Sequence, residues 1–416
     1  MKPKHRIIFK GYYDLHNFGD DLLLLAILDF FHNQMGWQKD DVQLFIEPAE
    51  GSLKKLGYEH PYRLFPYLDP IKAKHTRLKY SGLAEKIIKL LMGLYMVGCL
   101  AGAFLYRVTG IKLWNSKNIR FFKKLDIVHY IGGGYMNTRL SWGTQFLIYE
   151  LFFVIMAKLI NPKLQVIGTG LGVGPVTTRL YKHIFKLFIA NFDYVFVREK
   201  ESEDFIKSLN RAKHVKCIGD DVLLLLPYFQ KVAREVPKKS RFGLNLKFDD
   251  VHQYGSVKTF FEQLVQSRQA EGEEVVFFNF GRDHQALRQL PAAMSQNLTI
   301  YSCYETGLEN FLQHLASSQN CLGFAYHFAI LCVMMNIPSA NIYFDSYYRQ
   351  KTGGALALLC NRHVTLPYLQ LKNLHPEQLI RDLKLVDQAN VPQIFEQLRM
   401  HYKKAYQALE LARKQG

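Results

Sequence analysis

The sequence predicts an α/β protein of two Rossmann-like domains facing each other across a cleft. A basic, partly apolar helical insertion interrupts the first domain. Three observations carry this expectation. Short apolar segments alternate with helical segments, the pattern of a parallel sheet covered on both faces. The alternation pauses at Pro227 to Lys239, a stretch with two prolines and paired lysines, and then restarts. The chain has 416 residues, more than one compact core accommodates. The expected boundaries are 1–228 for the first domain, with the insertion at about 54–124, and 238–372 for the second. A charged helical tail, 373–416, is expected to pack across the seam.

Taken in order, Ile7 to Lys10 reads as the first strand and Leu22 to Met35 as the helix after it. Asp126 to Ile131 is a strand that stops in Gly132-Gly133-Gly134, and Phe146 to Ile160 is a strongly apolar helix. Gln165 to Gly168 begins a strand, ending in the glycine-rich run Gly168 to Pro175. Tyr194 to Val197 ends at Arg198, a polar helix runs from Glu199 to Leu209, and Val215 to Gly219 ends at Asp220-Asp221. Beyond the expected linker come strands at Phe242 to Leu246, Val275 to Asn279, Asn320 to Gly323 and Ile342 to Phe344. Helices over Val257 to Ser267, Phe311 to Ser317 and Tyr326 to Met335 lie between them, and Pro376 to Lys414 is helical.

Composition narrows the function. Hydrophobic residues make up 49% and charged residues 21%, which excludes a disordered chain. The net charge is +17, and the segment from Lys54 to Lys124 holds fifteen Lys or Arg against three acidic residues. Such a patch seeks phosphate, whether of nucleic acid, lipid or an anionic substrate. The same segment contains seventeen uncharged residues, Leu90 to Tyr106. As a helix they would extend about 25 Å, against a hydrocarbon core of about 30 Å. Basic residues flank both ends, so charge gives no orientation for a span. A helix lying in an anionic leaflet fits better than a span or a buried core helix, and the apolar interruption disfavours nucleic acid. The six cysteines show no metal or disulfide spacing, and Met1 to Arg6 runs into a strand without an apolar leader. These features lead to the expectation of a cytoplasmic protein, peripheral to the inner face of the membrane, with no metal and no cofactor.

In a doubly wound sheet, ligands sit at the carboxyl ends of the strands. Nearly every marked turn falls there: Asn17 and Gly19, Gly132 to Gly134, Gly168 to Gly174, Arg198, Asp220, and His327 after Gly323. Gly133, Gly134, Gly170 and Gly172 are therefore candidates to turn backbone N–H groups toward an anion. Plain structural use of each glycine is the alternative.

The ordered set resembles the polysaccharide pyruvyl transferase family. It comprises Gly11 to Asp21 with its Asn-x-Gly-Asp, Asp126 to Gly134, Gly168 to Pro175, and Val197-Arg198 with Ser202. Gly219-Asp220, Gly323 to His327, Asn336-Ile337-Pro338, and Lys351 ahead of Gly353-Gly354 complete it. The resemblance implies phosphoenolpyruvate as donor and a sugar, free or polyprenyl-linked, as acceptor. The product would be a pyruvate ketal on a surface polysaccharide or its precursor. That chemistry needs cations for a phosphate and a carboxylate, and a proton source near neutral pH. His327 is the candidate general acid toward C3, with Arg198 and Lys351 as anion contacts. Asp20 is either a base toward an acceptor hydroxyl or a helix cap, and Asp220 either binds sugar or shapes its turn. Tyr13, His16 and Asn17 are placed on the acceptor side. One departure is notable: Ala325 stands where family members commonly carry an arginine. Lys351, Arg349 or Arg282 are the candidates to compensate. A nucleotide-sugar glycosyltransferase and a catalytically impaired scaffold are the alternative readings.

Overall fold

The structure, a computed structural model, describes residues 4–13, 16–47, 51–67, 83–112, 116–139, 141–246, 255, 257–281 and 298–414. Two parallel sheets dominate it. The first contains β1 (His5–Lys10), β2 (Val42–Ile46), β3 (Leu64–Pro66), β4 (Ile127–Tyr130), β5 (Gly133–Met136), β6 (Gln165–Val173), β7 (Tyr194–Val197) and β8 (Val215–Cys217). Its order is β3-β2-β1-β4-β6-β7-β8, with β5 pairing β6 off this path. The second contains β9 (Arg241–Asn245), β10 (Glu274–Asn279), β11 (Thr299–Ser302), β12 (Asn320–Gly323), β13 (Ser339–Tyr343) and β14 (Val364–Pro367), in the order β11-β10-β9-β12-β13-β14. That is the doubly wound order, in which the direction of strand addition reverses beside the first strand of the set. The reversal falls between β1 and β4 in one sheet and between β9 and β12 in the other.

The central strands are buried along their whole length, as in Ile127-Val128-His129-Tyr130, because helices cover both faces of a parallel sheet. Helix Phe18–Asp29 is apolar almost all round, and Leu22 to Leu28 are all buried. Such a helix needs partners on every side. It finds them in Asp221–Leu225 of the first half and Tyr326–Met334 of the second. One apolar core therefore runs through the seam, joining Leu22, Leu25 and Ile218 to Phe311, Phe328 and Ile330.

Several expected boundaries move. The first helix begins at Phe18 rather than Leu22, so Asn17 is its N-cap residue and Gly19 and Asp20 lie in its first turn. The glycine-rich run is not a turn: β6 continues through it to Val173, and the triple glycine leads into β5. The expected linker is mostly helix, Leu226–Glu235, with Pro227 in its first turn, where a missing N–H costs nothing. Its Leu226, Phe229 and Val232 are core residues. Strand β11 carries no alternation strong enough to mark it in the sequence. The final helix, Val391–Lys414, packs on Asp221–Leu225 and on helix Gly354–Leu359.

The expected insertion is only partly an insertion. Leu64–Pro66 is the edge strand of the first sheet, and helix Ser116–Phe122 buries Ile119 and Phe122 in the core. Between them, helix Leu83–Thr109 packs on helix Ser141–Ile160 through Met96, Cys99 and Ala103. Among the described residues no helix is long and apolar enough to cross a membrane, which corrects the spanning alternative.

Candidate active site

The carboxyl ends of the two sheets meet around one side chain, Tyr326. It opens helix Tyr326–Met334 after β12. The turn between them is held by Asn245 at the end of β9. Its Oδ1 accepts from Ala325 N at 3.0 Å, its carbonyl accepts from Phe324 N at 3.0 Å, and its Nδ2 donates to Phe278 O at 2.9 Å. Asn245 thus sits at the reversal point of the second sheet and aims Tyr326 and His327 at the first.

Three cationic or basic groups contact the Tyr326 ring. The Arg198 guanidinium carbon lies 4.3 Å from its centroid and Lys351 Nζ 5.2 Å. The His327 ring meets it edge-on at 4.8 Å. The Tyr326 hydroxyl donates to Asp220 Oδ2 at 2.9 Å. Burial and then Asp220 hold this phenol well above its usual range, so it keeps the proton it donates.

Arg198 follows β7 directly and is 1% exposed. Its Nε donates to Glu199 Oε2 at 3.1 Å, and Nη1 lies 3.6 Å from Asp220 Oδ2. Burial lifts both carboxyls above the usual carboxylate range, with Arg198 opposing the shift. Glu199 is further fixed by the Ser202 hydroxyl, which donates to Oε1. Despite this framework, Arg198 Nη1 is buried without a hydrogen-bond partner among the described residues. The same is true of His327 Nε2, on a side chain only 7% exposed. Buried polar atoms are rarely left unsatisfied, so two such atoms call for an explanation, and a bound ligand or water is one. Burial, then Lys351 and Arg198, hold the His327 imidazole well below its usual range, which favours the neutral ring.

The glycines expected to cradle an anion lie close against side chains. A Cβ on Gly172 would lie 2.3 Å from Arg198 Nη2, and one on Gly170 would lie 2.6 Å from Asp221 Cγ. The space over Gly134 is taken by the Tyr347 hydroxyl, by Arg198 Nη2 and by Lys351 Cε, at 2.6, 3.2 and 3.6 Å. A Cβ on Gly133 would meet the Tyr135 ring at 2.8 Å, with Asp20 Oδ1 at 3.9 Å. The physical reason is close approach: four charged groups are packed onto one sheet edge, and only a residue without a side chain leaves them room.

The other expected residues divide. Asp20 lies in the first turn of the helix, after the N-cap residue Asn17; it accepts from Asn17 Nδ2 at 2.5 Å and faces Gly133. Asp220 shapes its turn, accepting from Val222 N at 3.0 Å, and also belongs to the Arg198 cluster. His16 takes a left-handed φ of 54° and lies at the seam, its Nε2 3.0 Å from Lys55 Nζ and its ring 5.2 Å from that of Tyr304. Tyr13 is misplaced by the sequence reading. It is buried, and its hydroxyl donates to Phe9 O at 2.8 Å, so it is a core residue rather than an acceptor contact. Of the groups expected to compensate for Ala325, Lys351 lies at the site, Arg349 is exposed and Arg282 is outside the described residues.

Behind the site runs a buried network that sequence reasoning missed. Asp221 accepts from Gly132 N and Thr169 Oγ1, each at 2.9 Å, and from the Tyr402 hydroxyl. Since the Thr169 proton goes to Asp221, the 2.8 Å contact between Thr169 Oγ1 and His129 is donated by His129 Nε2. That leaves His129 Nδ1 to accept from the Tyr406 hydroxyl at 2.8 Å. Burial pushes His129 down to about 3, consistent with a neutral ring of that tautomer. The only hint in the sequence was the adjacent pair Asp220-Asp221.

Residues 17–346 match the model of the polysaccharide pyruvyl transferase family. The chain belongs to that family. It is therefore a transferase, built on two parallel-sheet α/β domains. No curated protein is similar enough to match. Among solved structures, UDP-N-acetylglucosamine 2-epimerase from Rickettsia bellii aligns with a TM-score of 0.56 at 10% identity, over 99% of this chain and 97% of that one. The enzyme from Neisseria meningitidis bound to UDP-GlcNAc gives 0.54 at 11%, over 98% and 100%. A glycosyltransferase from Rickettsia africae gives 0.50 at 9%, over 98% of each chain. At these identities the likeness is one of fold. It places this pyruvyl transferase family member in a glycosyltransferase B-like architecture.

Proposed function

We propose that the protein uses phosphoenolpyruvate to build a pyruvate ketal on two hydroxyls of a sugar in a cell-surface polysaccharide or its lipid-linked precursor. The observation that carries this reading is the grouping of Arg198, Lys351 and His327 on one ring, with Arg198 Nη1 and His327 Nε2 buried and unsatisfied. The donor carries a phosphate and a carboxylate, and a guanidinium and an ammonium match that pair. Ala325 offers no charge, and Lys351 supplies the second cation.

In this reading one acceptor hydroxyl adds to C2 of the enol while a proton goes to C3. The C2–O bond to phosphate then breaks, phosphate leaves, and the second hydroxyl closes the ring. His327 delivers the proton to C3. Burial, then Lys351 and Arg198, disfavour the imidazolium, and the donor's negative charge counters the two cationic contributions and so favours the protonated ring. In this reading Asp20, beside Gly133, serves the acceptor together with Asn17 and His16.

The test is phosphate release from phosphoenolpyruvate with candidate sugar acceptors in deuterium oxide. Wild type should form a ketal whose methyl group carries one solvent deuterium. His327→Asn should lose about 10²–10⁴ in rate, the usual worth of a general acid. Turnover of a nucleotide sugar, with phosphoenolpyruvate left intact by every acceptor, would overturn the reading.

A further inference from the structure

We propose that the outward face of helix Leu83–Thr109 docks the protein on an anionic lipid surface. The helix is 27 residues long, and its two sides differ sharply. Met96, Cys99 and Ala103 are buried against helix Ser141–Ile160. At about 100° per residue, the opposite side presents Leu91, Leu94, Val97, Ala101, Phe104 and Val108. These side chains are exposed: Leu94 is 61% exposed, Phe104 59% and Val108 67%. No charged residue falls between Leu90 and Tyr106, so the strip is unbroken for several turns. Single exposed leucines are ordinary, but a continuous apolar strip of this length marks an interaction surface.

Charge selects the occupant. Helices Leu83–Thr109, Ser116–Phe122 and Arg179–Ile189 together carry eight Lys or Arg and one acidic residue. Arg107, Lys112, Arg120, Lys123 and Lys124 are exposed beyond the carboxyl end of the strip. Lys86 and Lys89 precede it. A second copy of the chain is a poor partner, since pairing the strips in either direction sets basic ends against basic ends. Helix Arg179–Ile189 packs on the same Ser141–Ile160 helix and exposes Leu180 and Leu187 alongside Lys182. An apolar strip framed by cations is the pattern of a helix lying in the plane of a leaflet, with its apolar side in the acyl boundary and its basic ends among anionic headgroups. The proposal does not depend on the donor chemistry and needs no turnover to be tested.

The experiment is flotation of the full-length protein with vesicles of phosphatidylcholine alone or mixed with phosphatidylglycerol. The protein should float with the mixture, float weakly with phosphatidylcholine, and be released by salt. Leu94→Glu with Phe104→Glu should abolish flotation while thermal unfolding stays unchanged, because both side chains are solvent-facing. Arg107→Glu and Lys112→Glu should each weaken binding to the mixture by roughly five-fold or more. Absence of flotation with the mixture would overturn the proposal, as would variants that float like wild type. Concentration-dependent dimerisation that Leu94→Glu abolishes, without lipid binding, would overturn it and assign the face to a second copy.

Discussion

Gly19 and His327 touch across the seam between the two sheets: a Cβ on Gly19 would lie 1.8 Å from His327 Nδ1. Gly19 sits in the first turn of a helix, where alanine is otherwise preferred to glycine by up to about 1 kcal/mol. Gly19→Ala should therefore displace the imidazole and lower the melting temperature modestly, since overpacking costs about 1–3 kcal/mol and helix propensity returns only part of that. A displacement of about 1 Å at a reacting group costs on the order of 10²-fold in rate. Steady-state kinetics with a melting curve on the same preparation would check this. Unaltered kcat would show that His327 does not need its present position.

Arg198 holds two buried carboxyls, Glu199 and Asp220. Replacing it with methionine strands them, and breaking a buried pair from one side costs about 3–5 kcal/mol. Burial already lifts both carboxyls. Protonation therefore relieves the stranded pair, and Arg198→Met should regain stability relative to wild type as pH falls below neutral. Arg198→Lys keeps the charge without the planar fork. It should remain folded and lose kcat/KM for the donor.

Asp221 gives a pH signature of its own. Burial, then Asp220, push its carboxyl from an ordinary 3.8 up to about 7. A group whose folded pKa is raised contributes most below its unfolded pKa. That contribution is lost as pH rises through the folded value. Wild-type stability should thus decline between about pH 4 and about pH 7 from this group. Asp221→Asn should flatten that slope in melting temperature measured against pH, and an unchanged slope would assign the decline elsewhere.

Tyr326 separates ring from hydroxyl. Tyr326→Phe keeps the surface under Arg198 and Lys351 but removes the donor to Asp220. It should cost a modest factor in kcat, and Tyr326→Leu, which removes both, should cost far more. Donor affinity measured by calorimetry would distinguish lost binding from lost turnover.

Tyr406→Phe tests the rear network. It leaves His129 Nδ1 buried without its donor, a loss of about 1–3 kcal/mol. Because Tyr406 lies behind the site, activity per folded molecule should stay close to wild type. A fall in activity without a fall in stability would contradict that assignment.

Much of this molecule is legible from residue order. Apolar runs such as Val195 to Val197 and Val275 to Phe278 mark central parallel strands, because burial on both faces forces every position to be apolar. Glycine, aspartate and histidine at strand ends marked the edge where Arg198, Asp220 and His327 come together. The reading erred wherever a residue's neighbours are distant in sequence. The glycine-rich run reads as a loop, yet it is strand β6, whose missing side chains leave space for Arg198 and Asp221. Pro227 to Lys239 reads as a linker, yet Leu226, Phe229 and Val232 fold it into a core helix. Tyr13 reads as a ligand contact, yet its hydroxyl closes on Phe9 O.

What the sequence settled by itself was the alternation of strand and helix, the basic and apolar segment, and the family motifs in their order, since periodicity and charge are local properties of a chain. The tertiary structure alone decided that Tyr326 gathers Arg198, Lys351 and His327, that Asp221 is locked by the final helix, and that one side of Leu83–Thr109 stays uncovered. Those facts depend on which surfaces meet when two sheets close on a shared core. Burial and electrostatic field are fixed by that meeting and by no single stretch of residues.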